Sequence, residues 1–148
     1  MSEHRATVAW SRDTDDFTYE SYTRDHTWAF EGGTVVPASA ATAYLGSAEC
    51  VDPEEALVAA LSSCHMLTFL AIAAKKRWVV DSYRDAAVGF MEKNAEGRLA
   101  ITRVVLRPEI AFAGDAPDEA ALARLHHLAH EQCFIANSVR TEVTVEEA

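Results

Sequence analysis

The apolar segment at residues 51–77, "VDPEEALVAALSSCHMLTFLAIAAKKR", constrains the fold of this chain most strongly. Asp52 is predicted as an N-cap, Pro53 takes the first helical position and Glu55 follows the cap by three, as in a capping box. The basic residues 75–77 suit the negative end of a helix dipole. A helix that is apolar on nearly every face must be surrounded by protein or lipid. Polar side chains interrupt the segment near its middle and no second such segment follows, which favours a central helix covered by sheets or by a second subunit.

The segments on either side of this helix are typical of strands. Before it, the alternating runs "ATVAW", "FTYESYT" and "TWAF" predict short antiparallel strands joined by turns. After it, "VVDSYRDAAVGFMEK" and "LAITRVVLRPEIAFAG" predict the two long strands of one hairpin around a turn at "NAEGR".

The last third of the chain predicts a second helix and a final strand. "PDEAALARLHHLAHEQ" is amphipathic, with Leu122, Leu125 and Ala129 on one face, and "SVRTEVTVEE" is typical of a strand. Strands and helices that do not alternate strictly indicate an α+β fold. The chain has 148 residues without a repeat or an interdomain linker, so we expect one domain over residues 1–148.

Charge and cysteine content restrict the function classes. The formal net charge of -10 is a poor electrostatic match to nucleic acid or anionic lipid, so we expect neither as a partner. The N-terminus "MSEHRATVAW" lacks the pattern of a signal peptide, which predicts a cytoplasmic protein in which structural disulfides are rare. The three cysteines are then metal ligands, reactive thiols or core residues.

Cys64, in the middle of the apolar segment, allows three interpretations. It could be a packed core thiol, since free cysteine is among the most buried residue types. It could join His65, His126 and His130 in a metal site, although the chain has neither an HExxH nor a CxxC pattern. It could also form a redox pair with Cys133, which follows the second helix, where a chain end can shift to let two sulfurs meet. Spacing alone leaves these interpretations open.

Three stretches together carry a family resemblance: "VDPEEALVAALSSCHMLTFLAIAAKK", "AVGFME" and "LHHLAHEQCFIANSV" before the final strand. With them the chain resembles the OsmC/Ohr family of organic hydroperoxide reductases along essentially its whole length. The resemblance implies an OsmC-like α+β fold, with antiparallel sheets around a long buried central helix, in an intertwined homodimer. It also implies thiol-dependent peroxide reduction without a metal or a bound cofactor.

The resemblance also implies roles for individual residues. Cys64 corresponds to the cysteine that attacks the peroxide, and Cys133 to the one that resolves the sulfenic acid as a disulfide. Glu54 corresponds to the family's supporting glutamate, and Arg24 in "SYTRDHTW" lies in the loop region of its supporting arginine. A dithiol, for example of the lipoyl type, would restore the thiols, while Cys50 has no counterpart. The alternative is a non-catalytic member of the same fold that binds an apolar small molecule or senses redox state.

The attacking sulfur would have to be ionised, and helix geometry limits how. Cys64 lies about three turns into the helix, beyond the reach of the helix dipole, and burial would raise the pKa of its thiol. A fixed cation is therefore needed, for which Arg24 is the candidate, with Glu54 to orient it. Glu54 and Cys64 are separated by about 15 Å of helical rise. If both act at one site, we expect Glu54 to come from the other subunit.

Residues at helical spacing around Cys64 predict an apolar substrate pocket. They are Leu57, Ala60, Leu61, Leu67, Thr68 and Ala71. Such a lining favours alkyl or fatty-acid hydroperoxides over hydrogen peroxide. His65 points about 100° away from Cys64, so we expect a packed or hydrogen-bonded histidine and not the catalytic base.

Overall fold

The structure, a computed structural model, describes residues 1–146 of the chain. These residues form two compact units, the first over Met1–Ala56 and the second from Leu57 onward. Helices and mostly antiparallel sheets confirm the predicted α+β class.

The first unit contains a three-stranded antiparallel sheet in the order β1 (Ala6–Ala9), β2 (His26–Phe30) and β3 (Val35–Ala38). The prediction of a strand at "FTYESYT" is wrong. The backbone turns at Thr18, whose carbonyl accepts hydrogen bonds from the amides of Ser21 and Tyr22. Phe17 and Tyr22 of this segment stack on each other, and both contact the Trp10 ring edge to face, which accounts for the aromatic alternation without a strand.

The long helix α1 spans Pro53–Lys75 and begins as predicted. The Glu55 amide donates to Asp52 Oδ1 at 2.8 Å, and the Asp52 amide donates back to Glu55 Oε1 at 3.3 Å, which completes the capping box. Four side chains spaced four residues apart are buried along one stripe: Leu61, His65, Phe69 and Ala73. The opposite side is exposed in the single chain, with Leu67 at 60%.

By length and composition alone, α1 is the one helix among residues 1–146 that could cross a membrane. Core helices of soluble proteins meet the same criterion, and the buried stripe of α1 packs on two clusters of its own chain.

The second unit holds two separate sheets. β4 (Val80–Asp85) pairs antiparallel with β7 (Pro108–Phe112), while β5 (Val88–Lys93) pairs antiparallel with β6 (Leu99–Leu106). The final strand β8 (Glu142–Val145) runs parallel to β6.

The prediction of one long hairpin is therefore wrong in its extent. One predicted strand is interrupted after Asp85 and the other before Pro108, so that each forms two shorter strands. The Asp85 carboxylate accepts hydrogen bonds from the Arg107 amide, at 2.6 Å, and from the Ser62 hydroxyl. Pro108 follows and has no N–H to continue the ladder. The turn itself is as predicted, with Gly97 at φ 78°, a backbone conformation that glycine adopts without strain.

The second helix, α2 (Glu119–Gln132), is capped by Asp118, whose Oδ1 accepts from the Ala121 amide at 2.8 Å. The predicted apolar face is confirmed: Leu125 and Ala129 pack with Phe69 and Ala73 of α1, and Leu122 lies against the same cluster. Nearer its start, α1 packs on a second cluster through Leu61, which contacts the strand β6. Both clusters lie in the second unit, and together they fix α1 against α2 and the sheet.

Candidate active site

The second unit brings Cys64 and Cys133 together. Cys64 lies in the middle of α1 and is partly exposed, whereas Cys133 follows the last residue of α2 and is 1% exposed. The two thiols are close enough that Cys64 raises the pKa of Cys133, and both are free. Cys64 and Cys133, separated by 69 residues in sequence, 133 minus 64, are therefore neighbours in the fold, as a disulfide between them requires.

The surroundings of Cys133 keep its sulfur protonated. Burial raises the pKa of this thiol and the neighbouring Cys64 raises it further, while the backbone N–H groups of Ala136 and Ile135 act in the opposite direction. The Ala136 amide donates to Sγ at 3.4 Å, because the chain leaves α2 at Cys133 and curls into a 3-10 helix over Ala136–Ser138. The buried thiol thus has donors in place for the negative charge that it develops when it reacts.

Cys64 opens into a pocket of about 540 Å³. Its lining combines one face of α1 with the segment around Cys133: Cys64, Leu67, Thr68, Ala71, Gln132, Phe134 and Asn137. Thr68 donates its hydroxyl to the Cys64 carbonyl at 2.8 Å, so this polar group is already satisfied within α1. Phe134 is 79% exposed beside it, and the result is a largely apolar recess with two amide side chains.

The predicted substrate-binding residues divide between two surroundings. Leu67 and Thr68 line the Cys64 pocket, as does Ala71. Leu61 is fully buried in the core with Val104 and Leu106, so it does not line the pocket. Leu57 packs against the same core cluster, and it borders a separate cavity of about 680 Å³ at the β5–β6 hairpin. Leu57 and Leu61 are covered because the β5–β6–β8 sheet packs on their side of α1.

Ala60, the remaining predicted lining residue, is exposed and is not part of the pocket wall. The residues missing from the sequence prediction were Gln132, Phe134 and Asn137, which enter from beyond α1. Their signal was their position on either side of Cys133: if two thiols meet, the neighbours of both must surround the meeting point.

Arg24 lies in the first unit, where its own loop fixes it. Its guanidinium donates to the carbonyls of Tyr22 and Tyr19, both at 2.6 Å, and lies over the Tyr22 ring with 3.7 Å between CZ and the ring centroid. Such stacking and hydrogen bonding make Arg24 a cation of defined position with further N–H donors to offer. Its role beside Cys64 stays a prediction.

Glu54 lies in the first turn of α1. Its Oε2 is buried and has no hydrogen-bond partner among residues 1–146. A buried carboxylate oxygen is costly unless a donor or a cation pairs with it.

The third thiol, Cys50, lies in the first unit, where burial and the carboxylates of Asp25 and Glu49 raise its pKa.

A pair of buried histidines joins the two helices: His65, next to Cys64 on α1, and His126 on α2. His65 and His126 are 1% and 5% exposed, with 3.0 Å between Nε2 of His65 and Nδ1 of His126, and their rings are stacked within 9° of parallel. The expectation of a packed, hydrogen-bonded His65 is confirmed. Burial lowers the pKa of His65 to about 4, helped by His126 and His130, while Asp85 of β4 acts in the opposite direction. Burial also lowers the pKa of His126, so both rings are neutral at pH 7.

The metal interpretation of Cys64, His65, His126 and His130 gains no support from the geometry. Among residues 1–146, no three or more histidine, cysteine, aspartate or glutamate side chains lie close enough together to hold a metal ion. His130 is on the exposed side of α2.

A family model described as OsmC-like protein matches residues 46–148, which include both thiols and both α-helices. The chain belongs to the OsmC-like protein family. A search of curated proteins gives no match. Among solved structures, an OsmC-like protein of unknown function from Vibrio cholerae is 54% identical, covers 100% of both chains and has a TM-score of 0.95.

More distant structures share the fold of this OsmC-like protein. An organic hydroperoxide resistance protein from Elizabethkingia anophelis is 16% identical, with 100% of this chain and 98% of that chain covered at a TM-score of 0.73. An organic hydroperoxide resistance protein OsmC from Legionella pneumophila is 15% identical over 99% and 96% of the two chains, with a TM-score of 0.67.

Proposed function

We propose that this OsmC-like protein reduces organic hydroperoxides to alcohols, with Cys64 as the attacking thiol and Cys133 as the resolving thiol. The observation that carries the proposal is the proximity of the two thiols, with Cys64 opening into a largely apolar pocket. The names of the Legionella and Elizabethkingia proteins of the same fold point to the same class of substrate.

In the first step the Cys64 thiolate attacks one oxygen of the hydroperoxide. The O–O bond breaks, Cys64 becomes a sulfenic acid and the alkoxide leaves as an alcohol after it takes up a proton. Cys64 is suited to this role because it is the partly exposed member of the pair, whereas Cys133 is buried and held as a thiol. An alkyl chain would lie along Leu67, Ala71 and Phe134, so its burial would favour organic peroxides over hydrogen peroxide.

In the second step the Cys133 sulfur attacks the Cys64 sulfenic acid. A disulfide forms, and the sulfenic hydroxyl leaves as water with the proton of Cys133. The N–H groups of Ala136 and Ile135 would stabilise the developing thiolate, and the proximity of the two thiols shortens the movement that the step requires. A dithiol, for example of the lipoyl type, then restores both thiols by exchange.

The proposal includes a homodimer that supplies the missing cation. Within residues 1–146, no residue lining the Cys64 pocket is basic, yet a thiolate in an apolar recess needs a positive neighbour. Glu54 Oε2 is buried without a partner among the described residues, which suits an arginine donor. A second copy packed on the exposed side of α1, where Leu67 and Ala71 lie, would cover that apolar surface. In such a dimer Arg24 would be the cation beside Cys64, and Glu54 would orient it.

The test is peroxidase turnover with cumene hydroperoxide and a dithiol reductant. Cys64→Ser should abolish turnover. Cys133→Ser should allow one rapid oxidation of Cys64 and then stall. Cys50→Ser is the matched control, since Cys50 has no part in the proposed chemistry, and it should turn over like the unmodified protein.

Mass spectrometry after one equivalent of hydroperoxide identifies the product directly. A disulfide between Cys64 and Cys133, accompanied by one alcohol per chain, is the expected result. Turnover that survives in Cys64→Ser would overturn the proposal. If the unmodified protein gives no turnover, the same pocket serves binding or redox sensing instead.

A further inference from the structure

We propose that His65 and His126 form a histidine clasp, a pair of positioning residues that holds the end of α2 against Cys64 so that Cys133 can form the disulfide. The role of that disulfide in turnover rests on the proposed function, but the clasp itself is a property of the dithiol pair.

The first argument is placement. His65 directly follows Cys64 on α1, and His126 lies two helical turns before Cys133 on the same face of α2. The His126 ring lies between two α1 side chains, with its centroid 5.3 Å from that of His65 and 4.7 Å from that of Phe69. A link at this position fixes both the distance between the helices and how far one can slide along the other.

The second argument concerns what else joins the helices. The remaining contact between α1 and α2 in this region is apolar, through Leu125, Ala129, Phe69 and Ala73. Apolar packing has little directional preference, whereas a hydrogen bond between two rings requires a narrow range of distance and angle. The clasp thus supplies the register that apolar packing leaves loose.

The third argument is energetic. Burial of two imidazoles costs desolvation, and replacement of both partners of a buried hydrogen bond by apolar side chains of similar shape is close to neutral for stability. A pair of leucines could therefore fill this space without loss of folding free energy. What leucines would not supply is the directional bond beside the thiols, which points to positioning as the contribution of the pair.

The experiment measures the disulfide equilibrium without peroxide. The full-length protein is incubated in buffers of defined glutathione and glutathione disulfide. The Cys64 thiolate exchanges with glutathione disulfide, Cys133 displaces the bound glutathione, and two glutathiones are released. Alkylation and peptide mass mapping then give the fraction with a Cys64–Cys133 bond, separately from any adduct on Cys50.

Without the clasp, the reduced protein samples more arrangements of the α2 end, so the effective concentration of one thiol at the other falls. His126→Leu should lower the equilibrium constant for disulfide formation by about three- to tenfold, the change expected for one lost hydrogen bond. His126→Asn keeps a polar atom near the position of Nδ1 and should restore the constant to within about twofold. Leu125→Ala, which loosens the same cluster but leaves the clasp, should change it less than about twofold.

Equal effects of His126→Leu and Leu125→Ala would overturn the inference, because general loosening would then explain the change. An unchanged constant in His126→Leu would also overturn it. If His126→Leu does not fold, the double variant His65→Leu/His126→Leu, which replaces both partners, takes its place with the same expected loss. A protein without peroxidase activity would refute the proposed function and leave this measurement valid.

Discussion

Acidification should destabilise this protein well above the pH at which carboxylates titrate, because His65 is buried as a neutral ring. Its pKa is lowered to about 4, from 6.5 in an unfolded chain. Between these two values the unfolded state binds more protons than the folded state, so the free energy of unfolding falls as pH decreases. The stabilisation is complete above pH 6.5 and is lost as pH falls towards 4.

The size of the effect follows from the two pKa values. A difference of 6.5 minus 4, or 2.5 units, at 1.36 kcal/mol per unit corresponds to about 3 kcal/mol in total, of which about 2 kcal/mol is lost by pH 5. Against a typical stability of about 5 to 15 kcal/mol, this is a large share.

Urea unfolding followed by tryptophan fluorescence, with the thiols kept reduced and the protein concentration fixed, measures the loss between pH 7.5 and pH 5. The control is the double variant His65→Gln/His126→Asn, which keeps polar atoms but cannot titrate in this range. The pKa-lowered carboxylates, such as that of Glu92, are common to both proteins and cancel in the difference. If both proteins lose the same free energy of unfolding, the buried histidines do not cause the pH dependence.

Three further substitutions test other parts of the structure. Gly89→Ala should destabilise by about 1 to 3 kcal/mol, because the new Cβ would lie 2.6 Å from Cγ2 of Val58; Gly32→Ala, with nothing within 4 Å, is the control, and chemical denaturation distinguishes them. Asp118→Ala should cost about 1 kcal/mol in the same assay through loss of the α2 cap, and an unchanged stability would show that the cap contributes little. Leu67→Asn should lower kcat/KM for cumene hydroperoxide several-fold and leave that for hydrogen peroxide unchanged; an equal loss for both would mean that the pocket does not select for apolar substrates.

The parts of the fold that could be read from the sequence are those set by local rules. The capping box at Asp52 and Glu55 and the apolar face of α2 each depend on residues within a few positions of one another. The break of the long hairpin was missed because the Asp85 carboxylate bonds to the Arg107 amide and the Ser62 hydroxyl, which are distant in sequence.

The same limit applies to the site. Helical spacing around Cys64 identified Leu67 and Thr68, but it also included Leu61, because spacing reveals which residues share a helix face and not what covers that face. The partners of Cys64 come from the segment around Cys133, and only the tertiary fold shows that Phe134 borders the pocket. The pairing of His65 with His126 has no local signature, since the two rings are 61 residues apart in sequence.

The last strand has a practical consequence for work with this protein. β8 runs beside β6, and the Glu146 amide donates to the Leu106 carbonyl at 2.8 Å, so the polypeptide that leaves Cys133 is anchored again within residues 142–146. The segment that carries Cys133 is therefore held at both ends, by α2 before it and by β8 after it. A substitution within residues 142–146 that weakens this pairing would give the segment after Cys133 more freedom and alter thiol reactivity, although the substituted residue lies on a different element from Cys133.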